Sequence, residues 1–418
     1  MQYKNNVFTW VLHPGFLLQI ISAYDGNSLS QKSTGIFSDI LPVFGKAGFP
    51  AAFPCKTKQS PWTAVRHTAK ETSVNVSLDF DPAICASCDT RDCLMKCQYM
   101  TFDLAEAKQE KTRINAGENS RVLTECTTCY ACEEYCPNNN HPFYLIVERQ
   151  EELGILPSPA PITRQQILMM KPRGTITPMK VRAPVIDMCY FPMLTGSIRE
   201  PLYENPSIIV GSDLFCNIMW LHFARNSVIR EQLPRVIDNI WHCYLKDSHV
   251  DELICFHDEC YATFSHLAPA FNIQVPFKPI HVFEYISHRL DALKEAIKPI
   301  HARVAYQRPC SNRLIPETQH WVDDIFNKIG VERVERTYDR ENALCCGQVL
   351  RAHQREDLAD DIQNRNLEDM QGTGAAYCVF NCPACMATLA EPAAEKGLFP
   401  IHLSDLCQLA LEGNAPKG

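Results

Sequence analysis

The chain carries 21 cysteines in 418 residues, and thirteen of them stand in three spaced groups. The first is Cys85-x2-Cys88-x4-Cys93-x3-Cys97. The second is Cys126-x2-Cys129-x2-Cys132-x3-Cys136-Pro137. The third is Cys310-x34-Cys345-Cys346-x35-Cys382-x2-Cys385, with Gly347 after the adjacent pair. Thiols this close in sequence are poorly placed to pair with one another. As thiolates they are soft metal ligands, so the clustering reads as metal ligation in a reducing compartment.

The second group is the iron–sulfur run of bacterial ferredoxins without departure. Three close thiolates can wrap three corners of a [4Fe–4S] cubane, and the fourth, beside a proline, reaches a second cubane. Zinc is the competing ligand, but zinc sites favour two separated pairs over four cysteines in eleven residues. The first group departs twice: its middle gap is four residues, and Gln98 replaces the proline. It still reads as a second cubane site. Exchange of the fourth ligand then assigns Cys85, Cys88, Cys93 and Cys136 to one cluster, and Cys126, Cys129, Cys132 and Cys97 to the other.

The third group resembles the CCG domain of heterodisulfide reductase catalytic subunits. That family includes the iron–sulfur subunits of glycolate oxidase and anaerobic glycerol-3-phosphate dehydrogenase. The resemblance implies that Cys310, Cys345, Cys346, Cys382 and Cys385 hold one noncubane [4Fe–4S] cluster and form the catalytic site. The residues agree with it on essentials. Five clustered thiols exceed what one zinc needs, and adjacent cysteines make a poor disulfide with each other.

These thiols need a scaffold, and the sequence repeats to supply one. Cys189 and Cys310 are 121 residues apart, Cys260-Tyr-Ala-Thr and Cys385-Met-Ala-Thr 125, and Pro279-Ile-His281 and Pro400-Ile-His402 121. Three markers in one order suggest two copies of a unit of ~120 residues. Strands are expected at 206–210 and 253–256, and helices at 321–329 and 357–369. That alternation favours α/β units with mostly parallel sheets. In the first copy His257 falls at the place of Cys382, and Trp220 and Leu221 fall near that of the cysteine pair. It cannot hold the same cluster. Either His257, Cys260 and Cys189 bind another metal, or this copy is a scaffold whose polar residues line an interface. Cys216, Cys243, Cys255, Cys378 and Cys407 lack spacing and read as small buried hydrophobes. His353 and His402 are candidate proton donors or ordinary surface or core histidines.

The expected fold class is α+β and multidomain. Residues 1–80 form an extension, with enough Phe, Trp, Ile and Leu to suggest an arm that docks on a partner. A helical two-cubane domain of ferredoxin type follows at 81–153, with a helix at 143–153. A linker with six prolines spans 154–184 and leaves room for a short helix at 163–170. A degenerate CCG-like domain covers 185–299 and an intact CCG domain 300–418. The net charge of −8 argues against a nucleic-acid partner. No uninterrupted apolar run is long enough to span a bilayer. The stretch 7–23 is broken by His13, Pro14 and Gln19, so no cleavable leader is expected. There is neither a haem-attachment CxxCH nor a phosphate-binding glycine loop.

The segments Cys255–Phe264 and Pro279–Tyr285 make residues 80–410 resemble cytoplasmic iron–sulfur subunits of sulfate reducers' membrane complexes, of the Hmc, Tmc and DsrMKJOP type. The resemblance implies an oxidoreductase subunit held at the inner face of the cytoplasmic membrane. Its partners would be a membrane b-type cytochrome or quinone site and, through it, periplasmic multihaem cytochrome c. A disulfide or thiol, free or on a protein, would be the acceptor or donor. Three alternatives remain open: a subunit of a flavin-dependent hydroxy-acid or glycerol-phosphate dehydrogenase, a wire without substrate chemistry, and a zinc-binding structural protein.

Overall fold

The computed structural model describes residues 78–172, 174 and 176–413. The expected arm at 1–80 lies outside the described residues apart from its last three positions.

Short helices frame the eight cysteines of the first two groups. They are α1 (Pro82–Ser87), α2 (Asp92–Met95), α3 (Leu104–Asn115), α4 (Arg121–Glu125), α5 (Ala131–Tyr135) and α6 (Pro142–Glu152). Local chemistry sets their starts. The Asp81 side chain caps α1 ahead of Pro82, and Asp103 and Glu106 form a reciprocal capping box on α3. Helix α6 buries Phe143, Ile146 and Val147 of the apolar face its periodicity marks, and also Tyr144 and Leu145, whereas Leu153, expected on that face, caps the helix and is exposed. The proline-rich stretch holds one helix, α7 (Ala160–Met170), close to the short helix expected there.

Two parallel sheets of four short strands follow. The first contains β1 (Val185–Asp187), β2 (Ser207–Ile209), β3 (Glu252–Cys255) and β4 (Lys278–His281), in the order β2-β1-β3-β4. The second contains β5 (Ala302–Tyr306), β6 (Val331–Arg333), β7 (Tyr377–Phe380) and β8 (Phe399–His402), in the order β6-β5-β7-β8. The two orders are the same, so the repeat seen in the sequence is a repeat of topology. The connecting helices include α8 (Met219–His222), α9 (Asn226–Ile240), α10 (Asp258–Ala262) and α11 (Val282–Ala292) in the first unit. The second has α12 (Gln319–Ile329), α13 (Gln348–Ala352), α14 (Glu356–Gly372), α15 (Pro383–Glu395) and α16 (Leu403–Glu412). The matching histidines do the same work. His281 Nδ1 accepts from the Phe283 N–H at the start of α11, and His402 Nδ1 from the Ser404 N–H at the start of α16. Both are buried, which makes His402 a helix cap in the core.

One apolar cluster joins the sheets. Ile186, Ile254 and Ile280 of the first share it with Val304, Val379 and Ile401 of the second. The Phe256 and His402 rings stack across the same seam at 5.2 Å. The chain is therefore mixed α/β with two small parallel sheets. The described residues fall in one compact unit. Among them, no helix is long and apolar enough to cross a membrane.

Candidate metal centres

No disulfide joins any described cysteine. The structure gathers the eight cysteines of the first two groups around two neighbouring cavities. Cys85, Cys88, Cys93 and Cys136 line one. Cys97, Cys126, Cys129 and Cys132 line the other, with Cys93 at its edge. The fourth cysteine of each run thus stands with the other run. Asn140 brings this about: its Oδ1 accepts from the Asp81 N–H at 2.9 Å and its Nδ2 donates to the Asp81 carbonyl at 2.8 Å. That pair of bonds ties the start of α1 to the turn after Cys136. Between the thiols the chain turns through left-handed residues, Arg91 at φ +57°, Thr128 at +56° and Tyr130 at +63°. Such conformations are uncommon for residues with side chains and cluster where a ligand is held.

The first cavity fits an anionic group. The Lys111 ammonium is buried with no hydrogen-bond partner, as are two nitrogens of Arg91. Both residues line this cavity. Burial alone pushes Lys111 down, but Cys93, Cys85, Cys132 and Cys136 more than reverse that and raise it. An unpartnered buried cation is costly, and a thiolate-bound cluster supplies the missing negative charge. Burial pushes Cys93 up to about 11 and Cys126 up to about 12. Without metal these thiols keep their protons at neutral pH, so metal binding must displace them. Amides point at the sulfurs: Thr128 N donates to Cys126 Sγ at 3.3 Å, and Asn140 N to Cys136 Sγ at 3.4 Å.

The third group also assembles. Cys310 follows β5, Cys345 and Cys346 precede α13, Cys382 caps α15, and Cys385 lies in its first turn. The Cys346 thiol lies near enough to Cys345 and Cys385 to shift their titration, and Cys385 likewise feels Cys382. Cys310 feels the charge of Cys346 and Cys382. Gly347 is required at the turn. Its φ is +81°, and an added Cβ would stand 3.0 Å from Gln363 Nε2 and 3.2 Å from the Ala359 carbonyl. Gln363 Nε2 donates to the Cys346 carbonyl at 2.8 Å and so locks the pair. More sulfur ligands converge here than one zinc takes, which fits a polynuclear iron–sulfur group.

Other residues complete this site without any motif to announce them. His222 Nε2 is 3.7 Å from Cys310 Sγ, and its Nδ1 is 3.1 Å from Thr128 Oγ1. Burial pushes His222 down to about 3, so its imidazole is neutral. His353, the other proton candidate, is pushed by burial down to about 4. The first repeat supplies a wall. Asp258 Oδ1 accepts from His281 Nε2 and Asn312 Nδ2, and its Oδ2 from Asn381 Nδ2 at 2.5 Å. Asn312 and Asn381 lie beside Cys310 and Cys382. Residues of the first copy's His257–Cys260 segment therefore do line the seam between the repeats.

The second four-cysteine cavity abuts the five-cysteine site. Cys129 packs on the cluster that holds Cys345, Cys346, Cys382 and Cys385. The Tyr99 hydroxyl accepts from the Cys345 N–H at 3.1 Å. Burial raises the Tyr99 phenol, and nearby Cys129 and Cys345 raise it further. Glu134 bridges Arg308 at 2.8 Å and Arg313 at 2.9 Å. Arg355 donates to the carbonyls of Glu125 and Cys126. These contacts fix the eight-cysteine region against the second repeat.

Cys243, Cys255, Cys378 and Cys407 are buried, as their lack of spacing suggests. Cys216 stands beside Cys189 and Cys260, and the three sulfurs lie within 4.8 Å of one another. Cys216 is buried in the apolar core, as the sequence reading expects, and the sulfur trio is a feature that reading did not contain. His257 is not in that trio, although its Nδ1 is 4.0 Å from Cys260 Sγ.

Comparison with known families agrees at the third group. Residues 304–390 match the model of the CCG family, described as a cysteine-rich domain. The match runs from β5 into α15 and contains all five cysteines of the third group. No curated protein matches the chain. An iron–sulfur redox role is supported by this domain.

Proposed function

We propose that the chain is the cytoplasmic electron-transfer subunit of a membrane-bound respiratory complex of the Hmc, Tmc or DsrMKJOP type. In this reading it links a membrane haem or quinone partner, and periplasmic multihaem cytochrome c beyond it, to a disulfide or thiol. The observation that carries the reading is the seam at Cys129. There the second four-thiol cavity abuts the cluster of Cys345, Cys346, Cys382 and Cys385, and the Tyr99 hydroxyl accepts from the Cys345 N–H, which supports a relay between them.

Cys85, Cys88, Cys93 and Cys136 would hold one [4Fe–4S] cubane, and Cys97, Cys126, Cys129 and Cys132 a second. Cys310, Cys345, Cys346, Cys382 and Cys385 would hold a noncubane [4Fe–4S] cluster. Bound clusters of this kind supply one-electron transfer. The chain's own residues set the surroundings. Lys111 and Arg91 balance negative charge at the first cavity. Gly347 and Gln363 hold the cysteine pair, and Glu259 lies against Cys382.

Quantitation of iron and acid-labile sulfide, with EPR during titration by a thiol, tests the reading. The expected content is about 12 irons per chain, four for each of three clusters. About eight irons, or zinc without sulfide, would remove the five-cysteine assignment. Co-purification with haem subunits supports the membrane complex, and with an FAD subunit the dehydrogenase alternative. One observation favours the simpler wire: Cys345, Cys346, Cys382 and Cys385 are all buried. Electron flow without reduction of any disulfide would decide for it.

A further inference from the structure

We propose that His222 is a positioning residue that ties the five-cysteine site to the loop of the second four-cysteine cavity, and raises the reduction potential of that site, by a hydrogen bond from its Nε2–H to the Cys310 sulfur. The proposal rests on the reading that both sites hold iron–sulfur clusters. His222 belongs to no cysteine group. It ends α8 in the first repeat, directly after Trp220 and Leu221, which fall near the place of the second repeat's cysteine pair. The residue is 7% exposed, and its ring reaches two other regions of the chain at once. Nε2 lies 3.7 Å from Cys310 Sγ, a hydrogen-bond distance for an atom as large as sulfur. Nδ1 lies 3.1 Å from Oγ1 of Thr128, which is fully buried between Cys126 and Cys129.

The chemistry of the partners fixes the direction of both bonds. A cysteine that binds iron is a thiolate, which has no hydrogen and can only accept. The ring hydrogen is then on Nε2, and Nδ1 is left as an acceptor. The Thr128 hydroxyl also reaches the Thr127 carbonyl at 2.7 Å, but it has one hydrogen and must turn it to Nδ1. Thr128 therefore serves two sites. Its N–H points at Cys126 Sγ at 3.3 Å, and its hydroxyl meets the imidazole that faces Cys310. It does so in the left-handed region at φ +56°, a conformation uncommon for a β-branched residue. The ring itself is held from the side. Tyr130 meets it edge to face at 4.7 Å, and Trp220 Nε1 donates to Asn217 Oδ1 at 3.0 Å where α8 begins.

Hydrogen bonds to the sulfurs are among the determinants of a cluster's reduction potential. The sulfurs gain negative charge when the cluster accepts an electron, so an N–H donor binds the reduced state more tightly. The bridge from Thr128 through His222 thus makes the five-cysteine site easier to reduce. The first repeat, which cannot hold the same cluster, then takes part in setting where the electron rests.

The test uses the full chain, purified anaerobically with its iron, and reads the potential of the five-cysteine site by EPR-monitored titration. His222→Phe keeps a ring and removes both nitrogens. It is expected to shift the one-electron equilibrium toward the oxidised state by about threefold to tenfold, a drop of up to about 59 mV. His222→Gln, which can restore a donor, should recover part of that shift. Thr128→Val removes the hydroxyl that meets Nδ1. It should lower the same potential by less, and add nothing on top of His222→Phe. An unmoved potential in iron-replete His222→Phe would overturn the proposal, as would shifts of the two variants that simply add. If His222→Phe does not fold, Thr128→Val decides, and an unmoved potential there overturns it. A nitrogen coupling in pulsed EPR as strong as direct iron ligation would overturn it too. Iron and sulfide are counted in every sample. About eight irons in the unaltered chain would remove the five-cysteine cluster and this proposal with it, whereas full iron with an unmoved potential removes this proposal alone.

Discussion

The Cys382 thiol donates to the Glu259 carboxylate across 2.9 Å, and the two residues belong to different repeats. Glu259 Oε2 is buried without a partner. Burial, with the Asp258 charge adding to it, pushes Glu259 up to about 8. The second repeat's sulfur site is therefore flanked by an acid that changes charge near physiological pH.

That acid should be visible in redox titrations. Glu259 is neutral in acid, and where it ionises on the alkaline side its carboxylate disfavours added electrons. The reduction potential of the five-cysteine site should fall as pH rises through this range, by up to about 59 mV per pH unit for a one-electron step. Glu259→Gln should flatten the profile. An EPR-monitored titration at about pH 6.5 and about pH 9.5 checks this, and an unchanged slope in the variant would refute it.

Glu134 is the hinge pin between the eight-cysteine region and the second repeat. Arg308 and Arg313 are both buried, and both reach its carboxylate. Glu134→Ala leaves two buried guanidinium groups without their anion. The expected cost is about 3–5 kcal/mol, measured by urea unfolding under anaerobic conditions.

Gly347→Ala meets two obstacles. The left-handed φ of +81° strains any side chain, and the Ala359 carbonyl stands in the path of the new Cβ. A loss of about 1–3 kcal/mol is expected, together with a lower iron content because Cys346 moves with the turn. Thermal unfolding and iron quantitation check it. A fully stable, iron-replete variant would contradict the geometry.

His141 should give a pH-dependent contribution to stability. A hydrogen bond that its Nδ1–H donates to the Glu133 carboxylate raises it above the ordinary value of 6.5, with burial opposing and the Glu133 and Asp79 charges assisting. A raised folded value means the contribution is complete below about pH 6.5 and is lost as pH climbs through the folded value. His141→Gln should therefore cost about 1 kcal/mol in mild acid and little in mild alkali. Unfolding midpoints of both proteins across that range are the measurement.

Much of this was legible in the sequence because thiolate ligation imposes short, fixed spacings. The cysteine runs pointed to two four-thiol cavities and a five-thiol site, and Pro-Ile-His marked the end of the fourth strand in each repeat. Strands such as Ser207–Ile209 showed through β-branched runs. Contacts between distant segments left no local trace. Cys216 is far in sequence from both Cys189 and Cys260, so no motif contains it. Lys111 sits in a helix of ordinary charged residues and becomes notable only when buried without a partner. Asp258 and Glu259 sit in an unremarkable acidic pair until the second repeat closes over them.

The duplicated sheet has one further consequence. The marker that aligns Cys260 with Cys385 also aligns Glu259 with Ala384 and Asp258 with Pro383. A dimer of identical units would have to present the same side chains from both halves, so an acid facing a thiol would bring an acid into the thiol's own half. Joining two copies in one chain lifts that restriction. Each half is free to drift, and here one has become a wall of the other's five-cysteine site.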